Sequence, residues 1–251
     1  MARPREDARI ARPLTLRVLG NIDHFRASTL ASMAEVINCA VTYDAPVAIA
    51  WLPYGETRSS QPCINRNTDA DKPNLAAHFS RVFGYPLGVD PCRYRGQVVC
   101  KSPRNGAHNG QALTAPVHDR NTNDVYQHLI DNLTPGGIID LRVPYIGGIA
   151  PICWLKRRPM ATRFASQSEW ARLAAPSELF SADEQRLITQ FCETVQLEYG
   201  ELDVLRDAQS DSIYVVDVNP TPYPLTDGID PREWSRAVEQ MAARFQEVFL
   251  S

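Results

Sequence analysis

The sequence predicts a mixed α+β protein, and three observations carry that reading. A β-α-β pattern opens the chain, amphipathic helices punctuate it, and two short alternating strands joined by a polar turn lie near its end. With 44% hydrophobic and 22% charged residues, the 251-residue chain can bury a sizeable core. That length fits one large domain or two intimate lobes.

Residues 1–13 are charged and read as a flexible tail, without the apolar core of a signal peptide. Leu14–Gly20 is a strand. Phe25–Cys39 then carries Leu30, Met33, Ala34 and Ile37 at helical spacing, and Val47–Leu52 is a continuous apolar run, as in a buried parallel strand. Glu56–Ala70 is polar and rich in turn formers, which predicts a connector. Asp71-Lys72-Pro73 opens a helix over Asn74–Phe83, and Gly84-Tyr85-Pro86 ends it.

Gln97–Lys101 is a short strand. The small residues of the loop after it, Ser102–Gly110, suit an approach of backbone amides to an anion. Its lysine precedes the glycines, unlike the phosphate loop in which the lysine follows them. An ordinary hairpin loop is the alternative. Asp124–Asn132 holds another strand-like run. Ile138–Tyr145 is a strand, Gly147-Gly148 turns the chain, and Ala150–Leu155 is a second strand ending in Lys156-Arg157-Arg158. These cations either face an anion site or form a solvated strand end. A helix over Pro176–Val195 carries the capping box Ser181–Glu184 and a stripe of Leu187, Ile188, Phe191 and Val195. Pro231–Phe249 is a closing amphipathic helix for the core or a dimer face.

Glu201–Arg206 and Ile213–Asn219 alternate about the turn Asp207–Ser212, predicting an antiparallel hairpin. Alternation sets Tyr214, Val216 and Val218 on one face and Val215, Asp217 and Asn219 on the other. Folding the hairpin about Gln209–Ser210 places Asp203 opposite Asp217 to within one residue. Facing carboxylates repel across a ladder, so a cation between them makes chemical sense. With the amide oxygen of Asn219 they form a hard oxygen set suited to Mg²⁺ carrying a phosphate.

Asp203 followed by Asp217-Val-Asn219 resembles the metal hairpin of the ATP-grasp superfamily, with Asp217 where that family usually has Glu. The resemblance spans about Asp71 to Pro222 and includes Asp71-Lys72, Lys101 with its glycine loop, Asp140-x-Arg142 and Arg163-Phe164. It is similar to the ribosomal-protein glutamate ligase and glutathione synthetase-like branch. It implies two α/β lobes gripping the nucleotide, with a hinge near residues 126–132 and a shortened N-terminal β-α-β region over residues 14–70. The implied cofactors are ATP and Mg²⁺. Nucleotide contacts fall on Lys72, Lys101, Gly106, Gly110, Gln127, His128, Leu129, Asp131 and Lys156. Metal ligands fall on Asp203, Asp217 and Asn219, and the catalytic arginines on Arg142 and Arg158.

The implied reaction joins a small-molecule carboxylate to an amine through an acyl phosphate. A phosphotransferase, or a degenerate domain that binds without catalysis, is the alternative. The net charge of −3 gives no reason to expect a nucleic-acid partner, and no apolar run spans a bilayer. Six cysteines without a CxxC pair suggest reduced thiols and a cytoplasmic location. The trimmed N-terminal region suggests a homodimer in which a second subunit completes the site.

Overall fold

The computed structural model describes residues 13–52, 60–103, 109–164, 167–225 and 227–251. The expected tail and Gly106 lie outside them.

β1 (Thr15–Gly20), β2 (Ala40–Val41) and β3 (Ala48–Trp51) form a parallel sheet in the order β2-β1-β3. All four residues of β3 are buried, as its unbroken apolar run predicts. The single helix expected over Phe25–Cys39 is instead two, α1 (Ile22–Arg26) and α2 (Thr29–Val36). Ser28 causes the break: its extended backbone lets its hydroxyl accept from the Ala31 amide, starting a new helix. The connector before the next helix adds a bridge from Ile64 to Ile49.

α3 (Lys72–Phe83) carries proline in its first turn and ends at Gly84, whose φ of 81° is left-handed. A second sheet follows, with order β5-β4-β6, from β4 (Gly96–Lys101), β5 (Gln111–Ala115) and β6 (Val125–His128). The third and largest has the order β10-β9-β8-β11-β12. Its strands are β8 (Gly137–Ile146), β9 (Cys153–Arg158), β10 (Trp170–Ala174), β11 (Tyr199–Arg206) and β12 (Ile213–Asn219), with the short β7 (Leu133–Thr134) beside β8. Lys156, Arg157 and Arg158 close β9 as one buried and two half-buried residues and are not a solvated strand end.

One face of this sheet offers Leu141, Val143, Leu202, Val204, Val215 and Val218 to α3 and to α5 (Ala182–Thr194), where Leu75, Phe79, Ile188 and Phe191 are buried. The helix expected over Pro176–Val195 breaks into α4 (Pro176–Leu179) and α5, because Ser181 must be extended to cap Glu184. At the far end of the opposite face, Ile146, Trp154 and Tyr199 join a second core. That core holds β1, β3, α2 and α6 (Pro231–Phe245), which buries Val238, Met241 and Phe245.

The hairpin register is the expected one, with Asp203 opposite Asp217, but Val215 sits on the core face with Val218. The pairing slips between Asp203–Asp217 and Val204–Val215, leaving Val216 as an extra residue. This bulge resets the alternation. Val216 and Asp217, though adjacent, both border the cleft described next.

Candidate active site

A cleft separates the β4–β6 sheet, its roof, from the β8–β11–β12 floor. Val99 and Gln127 are register partners and so share the roof face, with Lys101 two residues beyond Val99. On the floor the same periodicity sets Asp140 and Arg142 of β8, Lys156 and Arg158 of β9, Glu201 and Asp203 of β11, and Asp217 and Asn219 of β12 on one face.

The floor is a lattice of alternating charge. Asp203 Oδ1 accepts from Arg142 Nε at 3.3 Å and lies 3.6 Å from Lys156 Nζ. Despite burial, these cations hold the Asp203 carboxyl well below the usual range. Arg142 Nη1 also lies 3.3 Å from Glu201 Oε2, an oxygen without a hydrogen-bond partner. Glu201 is 4% exposed, and burial pushes its carboxyl up to about 7. Arg158 pairs with Asp140 at 2.9 Å, and Asp140 accepts from Asn132 Nδ2 at 2.9 Å.

Two lysines span the cleft. Lys101 Nζ reaches from the roof to the Val216 carbonyl at 2.8 Å, and Lys72 Nζ, at the start of α3, lies 3.5 Å from Asp217 Oδ2. Burial lowers Lys101 to about 8. The cleft is about 190 Å³, below the ~300 Å³ of an ordinary ligand pocket, and these side chains cross it. At the end beyond β6 Arg163 donates to the Ile130 carbonyl and to Asn132 Oδ1, tying the segment after β9 to the strand connection. Gln127, 2% exposed, has an unpartnered Nε2 on the roof, a donor left for a bound group.

The structure thus gathers Lys72, Lys101, Gly110, Gln127, His128, Leu129, Arg158, Asp203 and Asp217 around one cleft. Four other nominated residues stand elsewhere. Arg142 and Lys156 lie behind Asp203 and outside the cleft lining, with Lys156 only 1% exposed. Asp131 accepts from the Leu133 amide and Gln209 Nε2, so it serves the hairpin turn. Asn219 accepts from the Thr221 amide and caps the Pro220 turn. Sequence reasoning missed Asn132, placed at the end of a strand-like run, and gave no role to Arg163, Phe164 or Val216. It also placed Glu201 on the face of Asp203 without nominating it.

The residues fit a magnesium–nucleotide ligand. Among the described residues no group of three or more His, Cys, Asp and Glu side chains is arranged to hold a metal by itself. Two opposed carboxylates facing lysines suit Mg²⁺, which keeps waters and takes its remaining ligands from phosphate oxygens.

No protein-family model matches the chain, and no curated protein matches it. Solved structures do. The ATP-grasp ligase PsnB complexed with a minimal precursor is 15% identical at a TM-score of 0.59, covering 93% of this chain and 99% of its own. D-alanine–D-alanine ligase from Bacillus anthracis complexed with ATP is 13% identical at a TM-score of 0.57, covering 94% and 97%. A RimK-domain ATP-grasp protein from Sphaerobacter thermophilus is 12% identical at a TM-score of 0.54, covering 94% and 100%.

Proposed function

We propose that this chain, which has the ATP-grasp fold, is an ATP-dependent ligase that joins a carboxylate to an amine through an acyl phosphate. The observation that carries this reading is the pair Asp203 and Asp217, opposed on the cleft floor with Lys72 and Lys101 above them. The resemblance drawn from the sequence and the likeness to structures complexed with ATP, ADP or AMPPNP support it.

Asp203 and Asp217 would hold Mg²⁺, which supplies charge neutralisation to phosphate oxygens. Lys101 and Lys72 exchange the Val216 carbonyl and the Asp217 carboxylate for phosphate oxygens, while Gln127 and the Leu129 segment line the base end. Arg158, held by Asp140, presents its guanidinium at the cleft. There it offsets the charge that grows as an acceptor carboxylate attacks the γ-phosphate, giving ADP and the acyl phosphate. An amine then displaces phosphate. Arg142 acts one layer deeper by fixing Asp203, and Lys156 does the same. The chain's own contribution is positioning and electrostatics; no side chain need form a covalent bond.

Calorimetry with AMPPNP, with and without Mg²⁺, on native protein and Asp217→Ala tests the site. Micromolar, Mg²⁺-dependent binding that the substitution weakens is expected. Screening pooled acids, amines and peptides for release of ADP plus free phosphate then tests the reaction. A phosphorylated acceptor without free phosphate makes the protein a phosphotransferase, and no nucleotide binding removes the enzyme reading.

A further inference from the structure

We propose that Glu201 is a positioning residue. It is the buried counter-ion that retains the Arg142 guanidinium, and so frees Asp203, when Asp203 turns to a metal ion. This inference rests on the magnesium–nucleotide reading above.

Three features carry it. Arg142 is clasped by two carboxylates on one strand, Asp203 at its Nε and Glu201 at its Nη1, each 3.3 Å away. Asp203 is already shared, because Lys156 lies 3.6 Å from the same Oδ1 atom. And Glu201 is almost wholly shielded, with an Oε2 that makes no hydrogen bond, so its 3.3 Å ion pair with Arg142 is what offsets the cost of burying its charge.

With only Asp203 as partner, the cations Arg142 and Lys156 would compete directly with Mg²⁺ for one carboxylate. A metal arriving at Asp203 would strand two buried positive charges beside a divalent cation. Glu201 supplies the second negative charge, on the side of Arg142 away from the cleft. The guanidinium can then lean on it while Asp203 swings to the metal. Glu201 needs no contact with nucleotide or metal to do this.

The test is a double-mutant cycle read by calorimetry at pH 8, with AMPPNP as titrant and the affinity gain on adding Mg²⁺ as the quantity measured. Glu201→Gln is expected to reduce that gain about tenfold, with Mg²⁺-free affinity within about twofold of native, a coupling typical of close charge pairs. Arg142→Met removes the competitor. In that background Glu201→Gln is expected to change the gain less than about twofold, a loss of effect that a merely structural role would not produce. Glu201→Asp, which keeps the charge on a shorter arm, is expected to lie between native and Gln and serves if Gln does not fold. A normal gain in Glu201→Gln, or an equal loss with and without Arg142, overturns the inference alone. Absence of any Mg²⁺-dependent binding by native protein overturns the nucleotide reading first and this inference with it.

Discussion

The two faces of the six-stranded sheet are built from alternate residues of the same strands, yet they meet opposite demands. Leu141, Val143, Leu202, Val204, Val215 and Val218 close one face over α3 and α5. Asp140, Arg142, Lys156, Glu201, Asp203 and Asp217 occupy the other. The apolar face gains free energy by leaving water. The charged face pays desolvation, visible in Lys156 lowered to about 8 and Glu201 raised to about 7. The pleat lets one set of strands keep scaffold and chemistry apart by a single residue step, so substitutions on the two faces should separate stability from binding.

The largest effects should come from crossing that divide. Phe191→Ala, at a fully buried site against the apolar face, is expected to cost about 3–5 kcal/mol by denaturant melts. The molecules still folded should bind Mg²⁺–AMPPNP normally. Asp217→Ala is the converse. It removes the 3.5 Å ion pair with the buried Lys72 and the acceptor of the Val218 amide, so stability should fall by only about 1–2 kcal/mol, while Mg²⁺-dependent affinity falls about a hundredfold. Equal losses of stability and binding in either variant would show that the faces are not independent.

The same step rule explains what could be read from the sequence. Period-two alternation in Glu201–Arg206 and the turn at Asp207–Ser212 sufficed to set Asp203 opposite Asp217 to within one residue, and the structure pairs them. The four-residue apolar run of β3 sufficed for a buried strand. The Val216 bulge was not legible, since an extra residue leaves no mark in a stretch of Val-Val-Asp-Val that is apolar in either phase. The split at Ser28 was not legible either; at Ser181 the capping box was read, but not the break it makes in an otherwise continuous helical stripe. Arg142 and Lys156 carried the right charge in the right strands, but depth below the surface depends on the neighbouring strands and not on their own sequence. Arg163 reaches Ile130 and Asn132 only because chain reversal after β9 brings residues 31 and 33 positions apart together.

A smaller effect should follow pH. Burial lowers Lys101 to about 8 from 10.5. Between those values the unfolded chain holds a proton that the folded chain has released, so this group's contribution to stability rises with pH through the window. Nucleotide affinity should move the other way. Below pH 8 the lysine is charged in free and bound protein, and affinity is flat with respect to it. Above pH 8 a bound polyphosphate must restore the proton, so affinity should fall by up to about tenfold per pH unit, with proton uptake measurable calorimetrically in buffers of different ionisation enthalpy. Lys101→Met should flatten this limb, and a persistent limb would assign it to another group.

The smallest effect sharpens the comparison at the cleft mouth. A Cβ built on Gly110 would lie 2.9 Å from Cδ1 of Phe164, whose ring also borders the cleft. The obstacle is a side chain and not backbone, so the ring can yield. Gly110→Ala should therefore cost no more than the ~1 kcal/mol at the low end for overpacking, and melting should barely change. Moving the Phe164 ring, however, displaces a wall of the cleft proposed to take the nucleotide, so AMPPNP affinity should drop about threefold, equivalent to less than ~1 kcal/mol. Adding Phe164→Ala should remove the clash and, with it, any further effect of Gly110→Ala on affinity. An affinity loss that persists without the ring would place the origin in the glycine's own backbone instead.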